Sequence, residues 1–281
     1  MADEAFQTAL DFGGLRYPKP QGEVAACKSI CFDGFEDLIS AWEPTLKHHR
    51  VNVQLHSVFL HQSPYVSWPN PMGLKPNRCE LADLMIVCDF HNQGSAPERR
   101  AVLIQAKIEK SKRPGVDATQ YELISAWPPF SLPRGYDARE RDFRDRPSGD
   151  LNLSSEYGWI LLRCNQRYWK NTLTEPGDQR FHCEEDLGPF VTRMMWGDAG
   201  FGAVCEINGG DDFSFTVDEL LRVSATKRVK QLDPRSRAAT WEARLAGGGD
   251  VQRGKYAGTL AEGPQGISTI HVTMRVIDRE G

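Results

Sequence analysis

Apolar positions follow two different periods in the first hundred residues of the chain. In residues 34–49 they fall three or four positions apart with acidic residues between them, which predicts an amphipathic helix. In residues 51–60 they alternate with polar positions, which predicts a strand. Two further apolar runs, residues 81–90 and 101–108, are separated by a hydrophilic stretch with Gly and Pro. We predict that these two runs form a β-hairpin with a long loop, buried on both faces.

The rest of the chain carries a more varied pattern. Segments 1–25 and 63–76 mix Pro, Gly and polar residues, so we expect no regular structure there. Residues 118–127 are a short helix candidate stopped by two prolines, and residues 157–164 form a strongly apolar strand candidate. Beyond residue 165 the pattern predicts a helix at residues 185–196, a strand or a helix at 215–223, and a strand at 267–277.

The composition is that of an ordinary globular protein, with 40% hydrophobic and 26% charged residues. A formal net charge of −4 gives no sign of a generic polyanion binder, so any surface for nucleic acid must be local. The seven cysteines are odd in number and scattered, several of them in apolar runs, which indicates reduced, buried thiols in a cytoplasmic protein. The amino terminus lacks the features of a signal peptide, and no apolar run approaches about 18 residues, so we expect no membrane span.

Charged and amide side chains interrupt the ends of the two apolar runs that we pair as a hairpin. If opposite residues have numbers that sum to about 189 or 190, Asp83 lies opposite residue 106 or 107, on the face that Gln105 and Lys107 share. Glu80 lies close to them in the sequence. Charged side chains are seldom buried without partners. A magnesium ion would resolve this conflict, because Mg²⁺ is bound through oxygen ligands from one or two carboxylates together with water and substrate phosphate.

The pattern Glu80-Leu-Ala-Asp83, followed by a hairpin, by Ile104-Gln105-Ala-Lys107 and by a helix with Gln120, resembles the core motif of the PD-(D/E)XK, or restriction-endonuclease-like, nuclease superfamily. In that family the core runs helix, three-stranded meander, helix, strand, which is the order predicted above. The resemblance implies an α/β fold with a mixed sheet flanked by helices. It divides the chain into an N-terminal arm (residues 1–30), a nuclease core (residues 31–165) and a C-terminal α+β elaboration packed on the core (residues 166–281).

The resemblance also assigns roles to single residues. Asp83 matches the metal-binding aspartate of the family, and Lys107 matches its catalytic lysine. Gln105 stands where the family usually has an acid, as in the Q-x-K subset of Mrr-like restriction enzymes and some bacterial defence nucleases. A glutamine still offers a carbonyl oxygen to a metal, but with less charge. Glu80 makes up that deficit in this interpretation, or Glu36 of the first helix does so as the upstream acid, in competition with two other acids of that helix.

The function implied by the resemblance is an endonuclease that depends on Mg²⁺ or Mn²⁺ and hydrolyses DNA phosphodiester bonds, with Gln120 as a substrate contact. Such nucleases resemble effectors of bacterial anti-phage defence, often homo-oligomers that work with a helicase, a sensor or a nucleotide-signalling protein. The alternative is a catalytically inactive subunit that keeps the nuclease fold and serves binding or assembly in a multiprotein defence complex.

Each of these residues also has a simpler explanation. Glu80 and Asp83 fit a turn at the entry to a strand, where Asp commonly bonds the backbone. Lys107 fits a surface lysine that pairs with a nearby acid, and Gln120 is equally typical of a helix surface. The arginine-dense residues 134–146 are balanced by acids, which favours a solvated, salt-bridged loop over a phosphate-binding patch.

Overall fold

A computed structural model describes most of the chain between residues 23 and 276. The described residues are 23–34, 38, 40, 42, 51–60, 64–73, 75–92, 94–108, 117–146, 153–163, 166–173, 185–226, 238–245, 252–258 and 267–276. Within them the protein is a mixed α/β structure, in which helices flank a ten-stranded mixed sheet. The predicted class of fold, α/β with a mixed sheet, is therefore confirmed at this level.

The described helices and strands follow one another along the chain in a mixed order. The helices are α1 (Glu23–Ser29), which continues into a π-helical turn (Ile30–Gly34), α2 (Ala118–Ala126), α3 (Leu187–Met195) and α4 (Asp212–Thr226). The strands are β1 (Val51–Leu60), β2 (Tyr65–Trp68), β3 (Asn77–Glu80), β4 (Leu84–His91), β5 (Glu98–Ile108), β6 (Ser155–Arg163), β7 (Gln166–Leu173), β8 (Glu185–Asp186), β9 (Ala203–Cys205), β10 (Ala238–Leu245), β11 (Gln252–Gly258) and β12 (Ser268–Val276).

The large sheet has the strand order β11-β10-β1-β12-β4-β5-β6-β7-β8, with β9 paired to β5, and β2 and β3 form a separate two-stranded sheet. β4 and β5 are antiparallel, as predicted, and β6 runs parallel to β5. β12 is the strand predicted at residues 267–277, and it lies between β1 and β4. The last described strand of the chain is thus part of the centre of the sheet, and it interrupts the plain meander that we expected.

Alternate residues of the central strands pack into two separate hydrophobic clusters, one on each face of the sheet. Ile86 and Ile104 belong to the cluster covered by α1 and α3. Met85 and Leu103 belong to the cluster covered by α2 and α4. Strands that are covered on both sides have apolar residues at nearly every position, which explains the two uninterrupted apolar runs and confirms that the hairpin is buried on both faces.

Three local predictions were wrong. Residues opposite each other in the β4–β5 pair have numbers that sum to 188, as in Leu84 with Ile104, and not to 189 or 190. β2 lies in the Pro-rich segment for which we expected no regular structure, because Val66 and Trp68 are buried on its inner face. α1 lies in the predicted arm, because Ala26 and Cys27 pack into the core.

The structure also bears on two other predictions, the one for residues 215–223 and the one for the cysteines. Residues 215–223, left open between strand and helix, belong to α4. The described cysteines are free and buried: Cys27, Cys31, Cys79, Cys88 and Cys205. No helix in the described part of the chain is long and apolar enough to cross a membrane. Of the helix predicted at residues 34–49, Leu38, Ser40 and Trp42 are helical; most of the remainder lies outside the described residues.

Candidate functional site

Asp83 lies in the turn between β3 and β4, and hydrogen bonds attach it to β5. Its backbone N–H donates to the carbonyl oxygen of Ile104 at 2.9 Å. One oxygen of its carboxylate, Oδ2, accepts a bond from the side-chain amide of Gln105 and a second from the backbone N–H of Ala106 at 2.8 Å. The fold therefore brings together Asp83 and Gln105, which the sequence analysis expected to meet at this end of the hairpin.

Gln105 and Lys107 alternate with apolar residues on β5, so their side chains lie on the same face of the strand. Both are buried, with 2% and 8% of their surfaces exposed. The side-chain oxygen of Gln105, Oε1, is buried and has no hydrogen-bond partner in the described part of the chain. A buried acceptor without a donor costs about 1–3 kcal/mol, so this oxygen is an unexplained feature beside a carboxylate and is free to accept a cation or a water molecule.

Burial is the largest cause that raises the pKa of Asp83, to about 7. The charges of Glu80 and Glu23 raise this pKa further, while the charge of Lys107 and the hydrogen bond from Ala106 lower it. Two acids and one cation therefore act on the same carboxylate. Lys107 lies among these acids, as its predicted role requires, but no carboxylate of the described residues lies within 4 Å of its ammonium group.

Glu80 reaches the site from the small sheet. It is the last residue of β3, and it pairs with Tyr65 at the start of β2. The charge of Glu80 is the largest cause that raises the pKa of Tyr65, and a side-chain hydrogen bond between the two residues raises it too. Glu80 and Asp83 are both partly exposed, so solvent reaches both carboxylates.

Glu23 is the acid that the sequence analysis missed. It is the first residue of α1, and its Oε1 accepts a hydrogen bond at 3.1 Å from the backbone N–H of Ile108 at the end of β5. An acid directly before apolar residues at helical spacing, Ala26, Cys27 and Ile30, was a signal that could have identified it. Glu36, the predicted upstream acid, lies outside the described residues.

Gln120 lies in the first turn of α2, and the structure gives it no direct contact with the site. Its backbone N–H donates at 3.3 Å to Oδ1 of Asp117, the N-cap of the helix, which also accepts from Thr119 at 2.8 Å. Lys107 is among the causes that lower the pKa of Asp117, so the start of α2 faces the site. No hydrogen bond joins the side chain of Gln120 to any other described residue.

The arginine stretch of residues 134–146 is held by acids. Arg144 binds Asp142 at 2.7 Å, Arg139 approaches Asp212 at 3.5 Å, and the buried Arg141 binds Glu219 at 2.8 Å. These pairs confirm the salt-bridged interpretation over a free phosphate-binding patch, although Arg141 is buried and not solvated.

The donor atoms of the site suit a hard divalent cation. Mg²⁺ prefers oxygen ligands from one or two carboxylates, with water and substrate completing its coordination, and Asp83, Glu80, Glu23 and Gln105 offer only oxygen. Among the described residues no group of three or more His, Cys, Asp or Glu side chains is arranged to hold a metal. A metal held by Asp83 would therefore depend on Gln105, whose amide would have to turn so that its oxygen replaces its nitrogen beside the carboxylate.

Comparison of the chain with family models, with curated proteins and with solved structures finds no match. The function therefore has to be inferred from the chemistry of the site itself.

Proposed function

We propose that this protein is a divalent-metal-dependent nuclease that hydrolyses phosphodiester bonds of DNA, with its active site at the end of β5. The observation that supports this most is the cluster formed by Asp83, Gln105 and Lys107. A half-buried carboxylate with a raised pKa lies in the turn before β4, and beside it β5 carries a buried amide oxygen without a partner and a buried lysine. Such groups are costly to bury together unless a ligand compensates them.

The role of each residue in the proposed site follows from its charge and its donor atoms. Asp83, Glu80 and Gln105 would hold Mg²⁺ or Mn²⁺, with Glu23 as a further acid beside them. The ion would neutralise charge on the phosphate that is cleaved. Lys107 orients the attacking water and stabilises the negative charge that develops on the phosphate, since a buried cation acts more strongly than one in water. Asp83 also fixes the amide of Gln105, and the backbone of Ala106 fixes Asp83.

The order of the elements supports a restriction-endonuclease-like core. Helical residues are followed by β1, by β2 and β3 of the small sheet, by β4 and β5, and then by α2 and β6. Within the large sheet this is the order helix, three strands, helix, strand. β12 lies between β1 and β4 and departs from a simple meander. A role as an effector of anti-phage defence, as a homo-oligomer working with a helicase, sensor or nucleotide-signalling protein, belongs to the same proposal and depends on the resemblance of the motif alone.

One observation favours a second candidate, a catalytically inactive subunit that keeps the fold for binding or assembly. A glutamine occupies the position usually taken by an acid, and the described residues contain no ready group of three metal-binding side chains. A protein that had lost catalysis would tolerate such a weakened site.

Cleavage of supercoiled plasmid DNA separates the two candidates. The purified protein is incubated with Mg²⁺, with Mn²⁺ and with a chelator, beside its Lys107→Ala variant. We expect cleavage only with metal, and a loss of at least about 100-fold in the variant, the usual effect of removing one group that stabilises developing charge. Arg193→Ala is the matched control, because Arg193 is an exposed cation that pairs with Glu185 and Asp198.

Circular dichroism and urea unfolding check that both variants are folded. Cleavage that persists in Lys107→Ala would contradict the proposed role of this lysine. A folded protein that binds DNA but never cleaves it with either metal would favour the second candidate.

A further inference from the structure

The small sheet presents one apolar and one polar face. Val66, Trp68 and Cys79 are buried on its inner face. Because side chains alternate along a strand, Tyr65 and Arg78 lie on the opposite face, together with Glu80 of the proposed active site. The outer face of β2 and β3 is thus a surface that leads directly to the metal-binding acids.

Tyr65 and Arg78 form a stacked pair on this outer face. The guanidinium carbon of Arg78 lies 5.0 Å from the centre of the Tyr65 ring, a distance typical of a cation–π contact. The ring is 41% exposed, and the structure brings no acid of the described residues within ion-pair distance of Arg78. The pair therefore offers solvent an aromatic ring and a planar cation that has no ion-pair partner among the described residues, and both groups stack on nucleobases.

The local charge also suits a nucleic acid. From Tyr65 to Glu80 the chain contains two cationic residues, Lys75 and Arg78, and one acid, Glu80, so this segment is weakly positive, whereas the whole chain has a net charge of −4. A protein that is acidic overall and binds DNA needs such a local positive surface. It lies here beside the acids that would hold the metal.

Contacts with two other segments hold the small sheet in place. Ser67 exchanges two backbone hydrogen bonds with Ser131, at 3.1 and 2.8 Å. The side chains of Trp68 and Asn77 both donate to the carboxylate of Glu122 in α2, at 3.2 and 3.0 Å. A surface that is fixed before the ligand arrives loses little entropy when it binds, so the stacked pair is a preorganised platform.

We infer that Tyr65 and Arg78 form a subsite for an unpaired base next to the phosphate that is cleaved, so that the substrate is single-stranded DNA or an unpaired segment of a duplex. This inference rests on the proposed function. Bases within a duplex stack on one another and hide their faces, whereas an unpaired base can stack on an exposed ring or guanidinium plane. Glu80, bonded to Tyr65, connects this subsite to the metal-binding acids.

Binding of labelled oligonucleotides tests the inference without requiring cleavage. Fluorescence anisotropy is measured with a single strand and with a duplex of the same sequence, in Mg²⁺, in the Lys107→Ala background. We expect Tyr65→Ala to weaken binding of the single strand about 5- to 100-fold, the loss caused by removal of one base–aromatic stack. Binding of the duplex changes less than about twofold, because no unpaired base reaches the ring.

Conservative variants separate stacking from charge. Tyr65→Phe keeps the ring and retains single-strand binding. Arg78→Lys keeps the charge but loses the planar group. It weakens binding of the single strand more than binding of the duplex. Equal losses for both ligands in Tyr65→Ala, or no loss for either, would overturn the inference, and so would tighter binding of a single-stranded RNA of the same sequence.

The outcomes for the two proposals remain distinct. If plasmid is cleaved with metal but the Tyr65 variants bind both ligands like the parent, this subsite is wrong and the nuclease assignment stands. If no cleavage occurs while Tyr65→Ala weakens binding of the single strand only, the subsite stands as a binding site and the catalytic assignment is wrong.

Discussion

The amide of Gln105 donates a hydrogen bond to the carboxylate of Asp83 through its nitrogen, while its oxygen is buried without a partner. A half-turn about the last side-chain bond exchanges the two atoms of an amide, which have nearly the same shape. A cation held by Asp83 favours the orientation in which the amide oxygen points towards the cation. Without a cation, the orientation in which the amide nitrogen donates to Asp83 is favoured. Metal binding and the orientation of this one amide are therefore linked.

Gln105→Glu should make the protein depend more strongly on a divalent cation. Without metal, a second carboxylate within hydrogen-bond reach of Asp83 repels it, and the free energy of unfolding falls by about 1–3 kcal/mol. With metal, the added charge strengthens binding, and ligand binding to the folded state raises stability. We expect Mg²⁺ to raise the thermal midpoint more for this variant than for the parent. Gln120→Glu adds the same charge in the first turn of α2 and should lack the effect; equal shifts in all three proteins would contradict the prediction.

The stability of the metal-free protein should fall as the pH rises through the range in which Asp83 titrates. The unfolded carboxyl has a pKa of about 4, and burial raises the pKa of Asp83 to about 7 in the folded chain. The folded protein therefore binds the proton more tightly between these values, so the free energy of unfolding declines with rising pH, by about 1–4 kcal/mol in total. Urea unfolding in a chelator at several pH values measures this slope.

Asp83→Asn removes the titrating group and should show a shallower decline over the same range. Asp117→Asn is the comparison, because hydrogen bonds at the start of α2 lower the pKa of Asp117. Its carboxylate contributes stability above the unfolded pKa and loses it as the pH falls. Parallel pH profiles for the parent and Asp83→Asn would show that Asp83 does not titrate as described.

Removal of Glu219 should destabilise the protein far more than removal of its exposed neighbour. Glu219 accepts a bond from the buried Arg141 at 2.8 Å and another from the backbone of Asp137 at 2.7 Å. Glu219→Ala leaves the charge of Arg141 buried and poorly compensated, at a cost of about 3–5 kcal/mol. Arg222→Ala removes an exposed cation 3.6 Å from the same carboxylate and should cost less than about 1 kcal/mol. Urea unfolding measures both, and similar costs would refute this interpretation.

Gly158→Ala should disturb the core beneath the site. Gly158 on β6 pairs with Ala106 on β5, and an added Cβ would lie 2.2 Å from Cζ2 of Trp169 and 2.9 Å from Cγ2 of Ile104. Because Trp169 is buried, the ring cannot move into solvent without loss of packing, and we expect a cost of about 1–3 kcal/mol. A lower urea midpoint together with altered tryptophan fluorescence would be the expected result; an unchanged midpoint would show that the ring has room to shift.

Local patterns in the sequence were sufficient for much of the fold and for the common face of Gln105 and Lys107. Gln105 and Lys107 are two apart on a strand, so a common face follows directly from the strand period. The apolar character of β4 and β5 on both faces follows from helices on both sides of the sheet. Helices and strands that are predicted from such short-range periodicity, including α2 and β6, were found close to the expected residues.

Features that depend on contacts between distant parts of the chain could not be predicted. The position of β12 is determined by pairing with β4, 184 residues earlier, and with β1, more than 210 residues earlier. The contact of Glu23 with β5 joins residues that are 85 positions apart, so the helical spacing after Glu23 indicates a helix but not the strand on which it packs. The error of one or two residues in the β4–β5 register has a similar origin, because composition does not define the geometry of the loop between these strands.

The insertion of β12 between β1 and β4 has a consequence for protein synthesis. Translation produces β1 and β4 early and β12, which lies between them, much later. The edges of β1 and β4 that pair with β12 therefore remain unpaired for most of translation. Open edges invite pairing with other nascent chains, and a product truncated before residue 268 would keep them permanently. If the protein is the nuclease proposed above, the same delay is protective, because the sheet that carries the candidate site is completed only after residue 276 has been made.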